Sequence, residues 1–390
     1  MRYAVAALAL SMLVGCSTGA STDSQDATAS TAPVEAPSPQ PAKSPSESPS
    51  RTASFLGVVD LGGSTMGSDP LSLSEDGARI VTGRSRVDDD VIIVDVPTLE
   101  VIKAFSVPDV NHRNYAALLM DEDSVLVLAS EYDYDSDEYP APIRRTILTK
   151  FDPGTGEPSD RLNVPKRSWG LRTLPDDTAL VFADASVSVV NGVTMQKIGS
   201  IDVPASGAQD CGDGRLALVD DESQLFHLVD KANWSVLTTV KLEGLSDVSG
   251  GPPGISPECA RVAGRTPTGG FALIDARTGA ILAKNETLPD YSGAIAQPRF
   301  DPVTGDIFVS SYSPEEGFNV YILDSESLEV VETLENEGLA ALADGPYCIY
   351  TDGIVVSADG TTLAISFNTC GWHSEDTDFA KIAIYGLRSR

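Results

Sequence analysis

A repeated unit restricts the fold of this chain more than any other sequence feature. Val91-Ile92-Ile93-Val94-Asp95 leads to Leu99-Glu100-Val101-Ile102, and Val320-Tyr321-Ile322-Leu323-Asp324 leads to Leu328-Glu329-Val330-Val331 in the same order. The Asp or Asn that ends the first segment recurs at spacings of about 40 to 57 residues, at Asp95, Asp152, Asn191, Asp230, Asp275 and Asp324. These residues close turns because their side chains accept hydrogen bonds from backbone N–H groups two residues on. Each unit carries roughly four short β-rich segments, which predicts one small antiparallel sheet per repeat.

A second set of turns gives the number of units. A tight turn between the first two segments occurs seven times, at Glu75-Asp76-Gly77, Asp121-Glu122-Asp123, Pro175-Asp176-Asp177, Gly212-Asp213-Gly214, Pro257-Glu258-Cys259, residues 302–305 and Ala358-Asp359-Gly360. The last unit ends one strand short, whereas residues 55–61 carry the outer-strand pattern ahead of the first complete unit. Pairing these two ends would close a ring without an open edge. We therefore predict an all-β fold, a seven-bladed β-propeller over residues 54–390 whose N-terminal strand completes the last blade.

The inner turns also carry a family resemblance. Leu73-Ser74-Glu75-Asp76-Gly77-Ala78-Arg79-Ile80 and Val356-Ser357-Ala358-Asp359-Gly360-Thr361-Thr362-Leu363 resemble the inner hairpin of YVTN-type and WD40-like propeller repeats. The Gly-His and Trp-Asp dipeptides of WD40 units are absent from the sequence. The resemblance implies that ligands meet one face of the ring or its central channel. Propellers of this kind include lactonases, lyases and dehydrogenase subunits, so it also implies an enzyme as the alternative function.

The N-terminal segment predicts export and membrane attachment. Residues 1–15 combine Arg2, an apolar run and small residues, which is typical of a signal peptide, and the run is too short to cross a bilayer. Leu13-Val14-Gly15-Cys16 resembles the lipobox of bacterial lipoproteins, which implies cleavage before Cys16 and acylation of its sulfur. The alternative is an ordinary secretory signal that contains a Cys. Residues 16–53 then form a Ser, Thr, Pro and Ala-rich tether, because such a composition cannot bury a core. We expect an extracytoplasmic monomer at the envelope surface with the membrane as its first partner.

Charge restricts the remaining partners. The chain has 27 Lys plus Arg and 57 Asp plus Glu, a formal net charge of -30, which excludes nucleic acid and favours cations or basic partners. Acidic residues concentrate in the loops between second and third strands, and the candidates for binding there are Asp88, Asp89 and Asp90. Ca²⁺ is one alternative for this face, and solvated hairpin tips are another. Residues 133–144 begin like a Ca²⁺ loop but place Arg144 where a Glu is needed, so no metal ligand and no cofactor is assigned.

Aromatic residues supply the other binding candidates. Tyr115, Trp169, Tyr291, Tyr347, Trp372 and His373 fall in the predicted loops that lead into the innermost strands. Aromatic side chains can contribute much of the binding energy on an exposed face, and burial between blades is the alternative. Together with the acidic loops they predict a face that binds a protein or a glycan.

The sequence contains no catalytic constellation. The three histidines are His112, His227 and His373, and His227 lies in a strand, where a structural role is expected. Neither a Gly-x-Ser-x-Gly elbow, nor a Walker loop, nor a zinc signature is present, so no catalytic residue is assigned. A binding or scaffold module is the leading hypothesis. In the enzyme alternative, His112 or His373 would act as general acid or base.

Four further cysteines suit an exported protein. Cys348 precedes the inner strand of the last blade and Cys370 follows its second strand, so a disulfide across the mouth of that hairpin is expected. Cys211 and Cys259 lie at corresponding inner turns of neighbouring blades, where a second disulfide requires a Cα separation of about 4.4 to 6.8 Å. Metal binding is the alternative for these residues, but no Cys-x-x-Cys spacing supports it.

Overall fold

The computed structural model is a ring of β-sheets around a central channel. It describes residues 51–61, 71–84, 90–107, 114–120, 124–133, 142–246, 252–288, 298–313, 317–334, 349–369 and 380–389. Within these residues the strands form seven four-stranded antiparallel sheets. The seven-bladed β-propeller predicted from the repeats is confirmed.

The strands of each blade are ordered from the channel outward, and β1 (Arg51–Asp60) belongs to the last blade. Blades 1 to 3 are β2 (Ser72–Leu73), β3 (Arg79–Arg84), β4 (Asp90–Asp95), β5 (Glu100–Ser106); β6 (Asn114–Met120), β7 (Ser124–Tyr132), β8 (Ile143–Phe151), β9 (Pro158–Val164); and β10 (Ser168–Thr173), β11 (Thr178–Ala183), β12 (Ser186–Asn191), β13 (Gln196–Ile201). Blades 4 and 5 are β14 (Gly207–Asp210), β15 (Arg215–Asp220), β16 (Leu225–Asp230), β17 (Ser235–Lys241); and β18 (Gly254–Ile255), β19 (Arg261–Arg265), β20 (Phe271–Asp275), β21 (Ile281–Asn285). Blade 6 is β22 (Arg299–Phe300), β23 (Ile307–Ser313), β24 (Gly317–Leu323), β25 (Val330–Leu334), and blade 7 is β26 (Ile349–Val356), β27 (Thr362–Thr369), β28 (Ala380–Ser389) and β1.

The recurring Asp or Asn closes the turn between the third and fourth strands. In blade 5 the Asp275 carboxylate accepts hydrogen bonds from the backbone N–H of Arg277 at 3.0 Å and of Thr278 at 2.8 Å. Gly279 follows with φ +74°, and its N–H donates to the Asp275 carbonyl oxygen at 2.8 Å. The same left-handed position recurs at Leu99, Gly156, Met195, Trp234 and Leu328. The sequence-predicted turns are therefore confirmed. Each turn has one residue with a positive φ, a conformation that residues other than Gly rarely adopt.

Apolar contacts between adjacent blades form the core. Along β24, Val320 and Ile322 pack against blade 7, whereas Tyr321 and Leu323 pack against blade 5. Both faces of the sheet are therefore buried, which explains the uninterrupted apolar runs in the repeat. Seven buried clusters in the described part of the chain each join two successive blades, including blade 7 with blade 1. Burial of one Leu, Ile or Val side chain contributes about 1.5–3 kcal/mol, so these interfaces hold the ring together.

Strand β1 closes the ring as predicted. It pairs antiparallel with β28 from Arg51 opposite Ser389 to Asp60 opposite Lys381. It begins at Arg51, three residues before the predicted start of the propeller. The ring of Phe55 lies 5.5 Å from that of Tyr385, and burial raises the pKa of the Tyr385 hydroxyl to about 12. The two ends of the propeller are thus joined in one sheet.

Candidate binding site in the central channel

A cavity of about 820 Å³ fills the described part of the central channel. The inner strands of six blades line it, and both polar and apolar side chains face it. Cavities of this size hold small ligands, and binding sites in them combine an apolar wall with a few placed polar groups. The described residues therefore form a partly enclosed surface in the channel that is suitable for binding.

Two arginines occupy the same level of this channel. Arg172 of β10 and Arg299 of β22 each lie two residues before the first residue of the inner turn of their blade. The strand registers place Ser72, Leu118, Arg172, Gln209, Gly254, Arg299 and Val355 at this position in blades 1 to 7. We call these seven positions the arginine layer. Gly254 contributes no side chain, and a Cβ there would lie 2.3 Å from the Pro298 carbonyl oxygen.

Each guanidinium group donates one described hydrogen bond, and the charge of Arg172 affects Arg299. Arg172 Nη2 donates to Gln209 Oε1 at 3.4 Å, and Arg299 Nε donates to the Ile354 carbonyl oxygen at 3.0 Å. Burial lowers the pKa of Arg172, and burial together with the positive charge of Arg172 lowers the pKa of Arg299 to about 9. A pKa of about 9 leaves Arg299 protonated at neutral pH, and arginine side chains in general keep their proton in proteins. The arginine layer is therefore a positive region inside an acidic protein.

Lys231, a third cation at the channel wall, is neutralised. Its Nζ lies 2.6 Å from Asp210 Oδ2 and 2.9 Å from Asp176 Oδ2. Burial opposes its charge, but hydrogen bonds to Asp210 and Asp176 outweigh that effect and raise the pKa of Lys231. The positive charge of Lys231 is thus used within the fold, between blades 3 and 4.

Trp169 contributes an exposed aromatic surface to the same cavity. The sequence placed Trp169 and Tyr115 in loops, and this placement was wrong, because both lie within innermost strands. Each is the extra residue of a β-bulge, between Asn114 and Ala116 in β6 and between Ser168 and Gly170 in β10. Trp169 is 39% exposed, and its ring stacks on Phe182 with 5.9 Å between centroids. An exposed, rigidly supported indole is a suitable surface for stacking a ligand ring.

The other binding candidates stay predictions. Asp90 begins β4, but its side chain and that of Tyr115 are outside the described residues. Cys16, Asp88, Asp89, His112, Tyr291, Tyr347, Cys348, Cys370, Trp372 and His373 also lie outside them. The acidic, aromatic face is therefore represented in the described structure mainly by Trp169.

The described end of the 133–144 segment is neutralised by arginine. Arg144 Nη2 donates to Asp133 Oδ1 at 2.6 Å, and Arg145 Nε donates to Glu131 Oε2 at 2.5 Å. Arg144, which breaks the Ca²⁺-loop pattern, thus pairs with Asp133, the first residue of that pattern. In the part of the chain that the structure describes, no group of three or more His, Cys, Asp or Glu side chains is arranged to hold a metal ion.

One predicted disulfide is present beside the arginine layer. Cys211 and Cys259 are bonded, with 5.4 Å between their Cα atoms, and the bond joins blade 4 to blade 5. Their sulfur atoms contact the Gln209 carbonyl oxygen at 3.8 and 3.7 Å. The bridge therefore supports the backbone of the residue whose side-chain oxygen accepts the Arg172 hydrogen bond.

His227 is buried in the sheet of blade 4 and is absent from the channel lining. It is 3% exposed, its Nδ1 lies 3.0 Å from Thr239 Oγ1, and its Nε2 has no partner among the described residues. Burial lowers the pKa of His227, although the negative charge of Asp220 opposes this effect. This environment favours the neutral ring and supports the structural role expected from the sequence.

We expect His227 to make folding stability depend on pH. Its pKa in the fold lies below its usual value of about 6.5, so below pH 6.5 the unfolded chain binds a proton that the folded chain excludes. The free energy of unfolding should fall by up to about 1.4 kcal/mol per pH unit until the pH reaches the lowered pKa. Urea unfolding between pH 8 and pH 5 measures this change, and His227→Gln should remove that part of it. Equal pH dependence in both proteins would contradict the prediction.

The geometry defines the class of protein as a seven-bladed β-propeller with a lined central channel. No protein-family model matches the sequence, and no curated protein is significantly similar to it. The blade count and inner hairpins are consistent with the YVTN-type and WD40-like repeats that the sequence resembles. Among the described residues, no helix has the length and apolarity needed to span a membrane.

Proposed function

We propose that this protein is a lipid-anchored, extracytoplasmic binding module. The propeller engages a protein or glycan partner at the end of the channel where Trp169 is exposed. The supporting observation is that indole: it is 39% exposed in a channel wall where most large apolar side chains are buried, and Phe182 holds it in place. Exposure of a large aromatic group costs solvation free energy, which partner contact would recover.

The anchor and the tether complete the proposal. A diacylglycerol on Cys16 would hold the chain to the membrane, because each buried methylene contributes about 0.8 kcal/mol. Residues 17–53 would then separate the propeller from the lipid headgroups. A module in this position could capture partners in the envelope without a catalytic step.

The test uses the full chain expressed in a bacterial envelope and two single substitutions. Cys16→Ser should move the protein from the membrane fraction to the soluble fraction, because it removes the acylated sulfur. Trp169→Ala should reduce the partner retained in an envelope pull-down at least tenfold, since loss of an interface Trp typically costs 2 kcal/mol or more. Mass spectrometry identifies the retained partner.

Val303→Ala is the matched control for the aromatic substitution. Val303 is 58% exposed but is not among the residues that line the channel. Retention should be unchanged in this variant. Equal retention by the unmodified chain and Trp169→Ala would contradict the proposed contact, and membrane retention of Cys16→Ser would contradict the anchor.

A further inference from the structure

Arg172 brings a positive charge into the wall of the central channel. Within the described residues, Arg172 donates a hydrogen bond to the neutral amide of Gln209 and forms no ion pair. Arg299 occupies the equivalent position in blade 6 and lines the same cavity, and the positive charge of Arg172 lowers its pKa. Both side chains are partly exposed and line the cavity, so a ligand in the channel can reach them.

The sequence contains many carboxylates that could form an ion pair with an arginine. The protein has 57 Asp plus Glu, and in the same channel two of them already neutralise Lys231. Arg172 and Lys231 come from adjacent blades, but Asp176 and Asp210 form their ion pairs with Lys231. Among the described residues, Arg172 therefore differs from Lys231 in having a neutral amide and no carboxylate as its partner.

We propose that Arg172 and Arg299 bind the anionic group of a small ligand inside the central channel. This inference rests on the proposed binding function and names the chemistry of its ligand, which is a carboxylate or a phosphate ester. A guanidinium group offers a planar fork of N–H donors that matches either group, and two such groups can neutralise one divalent anion. Gln209 would hold the fork of Arg172 in position.

The surroundings add selectivity for size. The formal net charge of -30 repels polyanions at long range, whereas a small ligand in the 820 Å³ cavity meets the local charge of the arginines. Trp169 lies three residues before Arg172 on the same strand, about 10 Å away, and lines the same cavity. A ligand with a ring at one end and an anionic group at the other therefore fits the spacing.

The test measures thermal stabilisation of the purified full chain by matched probes. Glucuronate, glucose 6-phosphate, citrate and inorganic phosphate are compared with glucose, which has the same ring as the first two but no charge. The anions should raise the melting temperature saturably, by several degrees near saturation, and glucose should not. Calorimetric titration then gives the dissociation constant, and the glucuronate and glucose 6-phosphate arms distinguish a carboxylate from a phosphate ester.

Arg172→Gln should remove the anion effect and weaken binding at least tenfold. The variant should not melt lower than the unmodified chain when no anion is present, because it also relieves the repulsion on Arg299. Arg167→Gln is the control, since Arg167 belongs to the same blade and its side chain is 75% exposed. Two results would overturn the inference: equal stabilisation of the unmodified chain and Arg172→Gln, or no stabilisation of the unmodified chain by any anion at up to about 50 mM. If Trp169-dependent partner capture persists in that case, the anion site alone fails; if capture is also absent, the proposed function fails with it.

Discussion

A chain that begins at residue 62 is expected to be unable to fold stably, whereas a chain that begins at residue 51 should be as stable as the full chain. Residues 51–60 form β1, the outer strand of blade 7, and pair with β28 along its whole length. Without β1, the edge of β28 is unpaired and Tyr385, which is 1% exposed, loses its contact with Phe55. The apolar cluster between blades 7 and 1 also loses Val59 and Leu61. Val59 and Leu61 alone contribute about 3–6 kcal/mol, which with the strand pairing is comparable with the 5–15 kcal/mol by which a domain is usually stable.

Denaturant unfolding of the two truncated chains measures the difference. The chain from residue 51 should unfold cooperatively with the midpoint of the full chain, because the residues it lacks have the composition of a tether. The chain from residue 62 should show no cooperative transition, or one at a much lower midpoint, and should bind its partners less. Equal midpoints for both chains would show that the other six blades hold the ring without closure by β1.

The blade pattern could be predicted because it is local. An Asp or Asn at the end of a strand determines its own turn through hydrogen bonds to residues two and three positions on, as Asp275 does with Arg277 and Thr278. Counting such turns exposed the missing outer strand, and the rule against open edges assigned it to residues 55–61. The only contact between distant residues that the prediction required was the pairing of the N-terminal strand with the last blade.

The bulges at Tyr115 and Trp169 could not be predicted in the same way. A bulge adds one residue to one strand, and its position depends on the pairing with the next strand. Both residues were recognised as aromatic candidates near the channel, but their placement in strands and their equivalence in adjacent blades follow from the register. Alternation along so short a strand carries too little information to locate a one-residue shift.

The arginine layer was missed for a different reason. Arg172 and Arg299 are single charges in short segments, and their equivalence appears when the blades are aligned on the residue that begins each inner turn. That alignment was within reach of the sequence. The acidic loops dominate the charge pattern, and two isolated cations do not stand out against them.

Removal of the disulfide should have the second large effect. Cys211 and Cys259 are separated by 48 residues, and a cross-link over a loop of this length stabilises a protein by about 4 kcal/mol through its effect on the unfolded chain. The double variant Cys211→Ser/Cys259→Ser should therefore lose about 4 kcal/mol in the free energy of unfolding, measured in urea. The unmodified chain in reducing buffer should lose at least this amount, and any further loss on reduction of the variant measures the second disulfide expected between Cys348 and Cys370.

The same variant links stability to the site. Both sulfur atoms contact the Gln209 carbonyl oxygen, and the Gln209 side chain accepts the Arg172 hydrogen bond, so the bridge fixes one wall of the arginine layer. We expect the serine pair to weaken anion binding by a smaller factor than Arg172→Gln, because the charge remains and its support is loosened. Anion affinities of the two proteins are compared without denaturant, at a temperature well below both melting points. This separates the local effect from global unfolding. If the anion affinity of the serine variant is unchanged, the disulfide stabilises blades 4 and 5 but does not support the anion site.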